Sequence, residues 1–191
     1  EHVSGLDAAR HLLDQSGLQA VKVVVGEFGV GDAYDPSAKR LIITEHTATR
    51  HTDLSVGIVG HEVGHAIQDA QGFPLLQLRD TLARWLIQLS WISPVFFIGG
   101  FFLGIVPFMW LAVAIMGIEV AFALVTLPVE INASKRAVRL LEEGHVIVMA
   151  EERIVRRVLR AAAFTYLASA GMRVAFFLMW FVVLLVATGS G

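Results

Sequence analysis

The 191-residue chain is 55% hydrophobic and 17% charged, with a mean hydropathy of +0.66, which excludes an ordinary soluble domain. A formal net charge of −2 provides no electrostatic footprint for nucleic acid. With no cysteine, disulfides and thiolate metal ligands are excluded as well.

Residues 4–16, SGLDAARHLLDQS, fit a short amphipathic helix capped by Ser4, with Asp7 in its first turn and Gly17 as its stop. VKVVV at 21–25 and KRLIIT at 39–44 read as strands, the second following the turn signal YDPS, and an antiparallel pair is expected. Thr52 or Asp53 caps a helix that runs to about Gln71 and is ended by Gly72 and Pro74. From Trp85 to Leu127 the chain is apolar, and residues 85–129 carry one charge, Glu119. A crossing needs roughly 20 residues, so this stretch has room for two, with the turn expected near Pro107. A hydrophilic helix over 129–143, an arginine-rich helix over 149–160 and a last apolar stretch over 161–188 complete the chain.

The expected fold class is a mainly α membrane protein with a small β-hairpin or sheet, a transmembrane hairpin and a C-terminal transmembrane helix. Four segments follow: 1–84 with the histidine-bearing helix, 85–128 as the hairpin, 129–160 as the second polar helical part, and 161–191 as the last span. The chain starts at Glu1 and not at Met, which is read as a start lost to processing or a chain given without its natural start, with room for a removed signal peptide or earlier span.

The chemistry is concentrated in GIVGHEVGHAIQ, residues 57–68. On a helix, His61 and His65 stand one turn apart on one face, where two imidazoles can share a Zn²⁺. Glu62 is turned about 100° from His61, a direction suited to a carboxylate that acts on water without binding the metal. H-E-x-x-H is the signature of two zinc ligands and a general base. A catalytic zinc takes a third protein ligand. The extended pattern with a third histidine fails here, because its glycine would fall at Gln68 and its histidine at Gln71. If the apolar stretch crosses the bilayer twice, the chain returns to the same side near Pro128, and the next carboxylate is Glu130. His145, Glu142, Glu143, Asp69 and His51 are rivals on spacing alone.

HEVGHAIQDAQGFPLLQLR, the YDP…KRLIITEHT strand before it and VTLPVEINASKRAVRLLEEG after the hairpin resemble the YugP-type neutral zinc metallopeptidases of bacterial membranes. The resemblance covers nearly the whole chain. A more distant similarity is to the HtpX heat-shock protease and CAAX prenyl protease group, which place a membrane hairpin between H-E-x-x-H and E-x-x-A-D. The resemblance implies a zincin-like, gluzincin arrangement in which His61, His65 and Glu130 bind zinc and Glu62 is the base. The last residue of the distant pattern is Ser134 here, so Ser134, or Asn132, would orient a ligand histidine with less charge than an aspartate.

The implied activity is peptide-bond hydrolysis by a zinc endopeptidase acting on protein or peptide substrates at the lipid bilayer. A catalytically silent membrane adaptor and a zinc hydrolase of a non-peptide substrate are the competing functions. His145 and Tyr166 are candidates for stabilising the transition state. RLIIT offers an edge for an extended substrate. Arg79, Arg84, Lys135, Arg136, Arg139, Arg153, Arg156, Arg157 and Arg160 flank the spans on one side, which places the site on the cytoplasmic face of a bacterial inner membrane. Glu119 is expected to meet Arg173 within the apolar layer.

Overall fold

The computed structural model describes residues 3–26, 31–144 and 149–189. Its elements are α1 Gly5–Gln15, β1 Lys22–Gly26, β2 Ala33–Asp35, β3 Arg40–Thr44, α2 Glu45–Thr49, α3 Asp53–Ala70, α4 Pro74–Leu89, α5 Ile92–Leu103, α6 Val106–Glu143 and α7 Met149–Gly189. The result is a mainly helical chain with one three-stranded sheet. It divides into two compact units, residues 1–73 with 129–164, and residues 74–128 with 165–191.

In the first unit, Ser4 caps α1 by accepting the Asp7 N–H at 3.1 Å, and Leu12 and Leu13 are fully buried. The sheet order is β1-β3-β2, with β1 parallel and β2 antiparallel to β3. This corrects the expected antiparallel pairing of β1 with β3. The YDPSAK turn joins β3 to β2, a three-residue strand too short to leave a periodic signal, and β1 takes the opposite edge. Asp35 holds that turn. Its carboxylate accepts from the Ser37 hydroxyl and backbone and from Ala38, and Arg40 pairs with it, which together lower its pKa to about 2.

β3 alternates, burying Leu41 and Ile43 completely. Those side chains join Val59 and Val63 of α3, Ala137 and Leu141 of α6 and Val155 of α7 in one fully buried core. α3 begins as expected, with Thr52 accepting the Ser55 N–H at 3.2 Å. Three glycines of α3 set how closely it is packed. An added Cβ at Gly57 would meet Val155, one at Gly60 would meet Leu141 and Ala137, and one at Gly64 would lie 2.7 Å from the Ala133 carbonyl oxygen.

In the second unit the first apolar arm is not one continuous helix. α4 and α5 are separate helices broken at Ser90–Trp91, and α5 has 12 residues. The bend that follows is at Gly104, which is left-handed (φ 68°), with Ile105 N–H donating to the Gly100 carbonyl at 2.8 Å. Pro107 lies just beyond, in the first turn of α6, where its missing N–H costs no helical hydrogen bond. The expected turn is thus displaced toward Gly104.

α6 runs from the apolar arm through Pro128 into the polar residues to Glu143, and α7 likewise joins the arginine-rich stretch to the last apolar one. The boundaries expected at 129 and 161 are therefore not helix breaks. α6 and α7 are long and apolar enough to cross a membrane. Only 22% and 11% of their apolar windows are buried, unlike the core helices of a soluble protein. Phe97, Met109, Ala112, Val113 and Leu184 form this unit's own core, with Phe97 against Trp180 at 4.4 Å. Arg173 Nη1 lies 3.6 Å from Glu119 Oε2, the expected contact.

Candidate metal centre

α3 is regular across residues 61–65, so the two imidazoles project one turn apart, their ring centroids 4.8 Å apart and nearly perpendicular. Glu130 of α6 faces both, and it is 4% exposed. Its Oε2 lies 3.0 Å from His61 Nε2 and 3.4 Å from His65 Nε2. One ligand atom from each of these three residues falls within 4.8 Å of the others.

The far side of each ring is also held. His61 Nδ1 lies 3.2 Å from Ser134 Oγ, and His65 Nδ1 lies 2.9 Å from Gln68 Oε1. The fully buried Gln68 fixes the tautomer. Its amide nitrogen donates to the Val129 carbonyl at 2.9 Å and to Asn132 Oδ1 at 3.0 Å. Both partners are acceptors, so the amide oxygen must face His65, and Nδ1 carries the proton. A neutral His65 then points the lone pair of Nε2 at a carboxylate. Two acceptors facing each other need a cation between them, either a second ring proton or a metal ion. Two imidazole nitrogens and one carboxylate oxygen form a donor set that suits zinc.

Electrostatics agree with a site built for positive charge. Burial alone would raise the Glu130 pKa, but the interactions with the His61 and His65 rings outweigh it and hold the carboxyl well below the usual range. Glu62 lies outside the three-residue group. Its Oε2 accepts the Tyr34 backbone N–H at 2.9 Å, from β2. Burial pushes the Glu62 pKa up, against the pull of His65, His61 and that N–H.

The remaining candidates are placed elsewhere. Asn132 is linked to His65 through Gln68. Its Oδ1 accepts from Gln68 and, at 2.7 Å, from Arg136 Nε, and Arg136 also reaches Gln71 at 2.8 Å. Asp69 accepts from the Tyr34 hydroxyl at 2.6 Å and pairs with Lys39. Glu142 pairs with Arg156. Tyr166 is an exposed residue of the second unit. His145 lies outside the described residues. RLIIT is the central strand, and both its edges are taken, so it has no edge to offer a substrate. Gln68 and the Tyr34 N–H were not singled out from the sequence. The signal for Gln68 was an amide three positions after His65, on the helix face that also carries Gly57, His61 and Gly64.

Residues 1–185 match the family described as "Putative neutral zinc metallopeptidase". The chain is 35% identical over 167 residues to the Bacillus subtilis (strain 168) protein named "Putative membrane protease YugP", covering 87% of this chain and 74% of that protein. No solved structure matches. Two imidazoles and a buried carboxylate converge as zinc requires, and the chain belongs to the neutral zinc metallopeptidase family.

Proposed function

We propose that this protein is a zinc-dependent membrane endopeptidase with a zincin-type site, in which His61, His65 and Glu130 bind the metal and Glu62 is the general base. The observation that carries the reading is the lone pair of His65 Nε2, fixed by Gln68 and facing the Glu130 carboxylate. Bound zinc supplies a Lewis acid for a water and for the scissile carbonyl. Glu62 takes the proton from the water as its oxygen attacks the carbonyl carbon. It then gives that proton to the leaving amine as the C–N bond breaks. The Tyr34 N–H fixes the Glu62 carboxylate, and partial burial makes it a stronger base than a solvated one.

The membrane part of the proposal rests on the exposed apolar lengths of α6 and α7, and on residues such as Trp91 and Phe102, which are 82% and 80% exposed. The arginines and lysines beside these lengths favour a cytoplasmic site in a multi-pass inner-membrane protein. Substrates would then be membrane or membrane-near proteins, as in quality control.

The test is zinc content and casein cleavage of the protein purified in detergent. About one zinc per chain is expected, with cleavage abolished by a chelator and restored by zinc. Protein without zinc would sink the site assignment, and zinc without cleavage of any protein or peptide would favour an adaptor.

The partners of the far ring nitrogens make a finer prediction. Gln68→Ala should weaken zinc binding about 10- to 100-fold, because it frees the His65 ring and strips Val129 and Asn132 of a donor. Ser134→Asp should tighten it by placing a carboxylate on His61 Nδ1. Competition against a chromophoric chelator reads both, and equal affinities across the set would dismiss these contacts as metal-tuning.

A further inference from the structure

Glu130 and Ser134 stand one turn apart on the same face of α6. Ser134 is shared by two features. Its hydroxyl lies 3.2 Å from His61 Nδ1, and it walls a cavity of about 230 Å³ between α6 and the start of α7. The cavity lies wholly in the first unit, as the histidines do. It has an apolar floor, of which Ile131, Val138 and Leu159 are part, and a cationic rim of Lys135, Arg156 and Arg160.

Arg156 is already committed to Glu142. Lys135 and Arg160 have no acidic partner among the described residues. The positive lining continues along α7, where Arg153 and Arg157 border an adjoining hollow of about 520 Å³. A cavity of this size holds a peptide side chain or two and falls short of the ~300–1,000 Å³ typical of a site for a whole small molecule.

An apolar floor beside Lys135 and Arg160 selects a ligand having both an apolar body and a negative charge. Anionic lipid headgroups are attracted to exposed arginines of this kind. None of His61, His65, Glu130 and Glu62 lines the cavity, but Ser134 sets it one side chain behind His61, and its concavity and apolar floor favour a peptide side chain over a headgroup. Resting on the peptidase reading above, we infer that this cavity is a substrate subsite that selects peptides with an acidic side chain beside an apolar residue close to the cleaved bond.

The test uses the full chain in detergent and three fluorogenic peptide sets, identical except for Glu, Gln or Lys scanned within three residues of an apolar centre. An exposed ion pair is worth up to ~1 kcal/mol, so at the best position kcat/KM for Glu should exceed that for Lys about five- to tenfold, mainly through KM. In Lys135→Glu and Arg160→Glu the ratio should fall toward one or invert. Three results would overturn the subsite: a wild-type ratio near one, equal losses for all three peptides in the variants, or a loss that appears only in nanodiscs containing phosphatidylglycerol. The last would mark a headgroup site. Anisotropy of the same peptides on zinc-loaded Glu62→Gln protein reads the preference without turnover. Glu-selective binding with no cleavage by the wild type would retire the peptidase reading and keep the subsite. No selectivity in either measurement would retire the subsite.

Discussion

Glu62→Gln is expected to lower casein cleavage by about 10²–10⁴-fold while leaving zinc content at about one per chain, because general base catalysis contributes on that order and a base is not a ligand. The geometry separates the two roles. Glu130 Oε2 lies within 3.4 Å of both Nε2 atoms, whereas Glu62 is held away from that group by the Tyr34 N–H. A glutamine can still accept this hydrogen bond through its amide oxygen, so the local backbone should not move. Stability should not fall either. Burial raises the Glu62 pKa, so the folded state disfavours the ionised form. At neutral pH that form is a cost of folding, present above the ordinary carboxylate pKa, and a neutral amide removes it. The thermal midpoint without zinc should be unchanged or higher. Loss of zinc in this variant would make Glu62 a ligand, and full cleavage would require another base.

Local signals carried much of this fold. Ser4 and Gly17 bracket α1, and Thr52 and Gly72 bracket α3, because caps and stops act over one turn and are written in adjacent residues. The pairing of β1 was not legible, since strand direction depends on which edge of β3 is free, and that was decided by the short β2. Pro128 suggested a boundary, yet α6 continues through it, because an internal proline removes one helical hydrogen bond and can kink a helix without ending it. The same divide runs through the site. His61, Glu62 and His65 share one helix and could be read from spacing. Sixty-nine residues separate His61 from Glu130, and spacing left several carboxylates and His145 as rivals until the family resemblance selected one. The Tyr34 N–H was beyond reach, because a backbone donor has no residue type to reveal it. Gln68 was visible only as a mismatch to a different zinc pattern, although its amide sets which His65 nitrogen carries the proton.

Gly64→Ala should destabilise the protein by about 1–3 kcal/mol and weaken zinc binding together, whereas Gly99→Ala should do neither. A Cβ at position 64 would stand 2.7 Å from the Ala133 carbonyl oxygen and 3.2 Å from its carbon. These are backbone atoms of α6, which cannot rotate out of the way as a side chain would. The two helices must part or tilt. Ala133 stands between Glu130 and Ser134 on α6, so the displacement that relieves the methyl also draws the carboxylate and the hydroxyl from His61. Such constellations tolerate only about 0.5 Å. Alanine is the better helix former by up to ~1 kcal/mol, which works against the loss and makes a net destabilisation informative. At Gly99 of α5 an added Cβ meets nothing within 4 Å, so that variant shows the helix gain alone. Thermal unfolding with and without zinc, alongside zinc affinity, separates the two effects. A Gly64→Ala protein that kept both its midpoint and its affinity would mean that α3 and α6 do not meet at this point, and the approach of Glu130 to the histidines would fall with that contact.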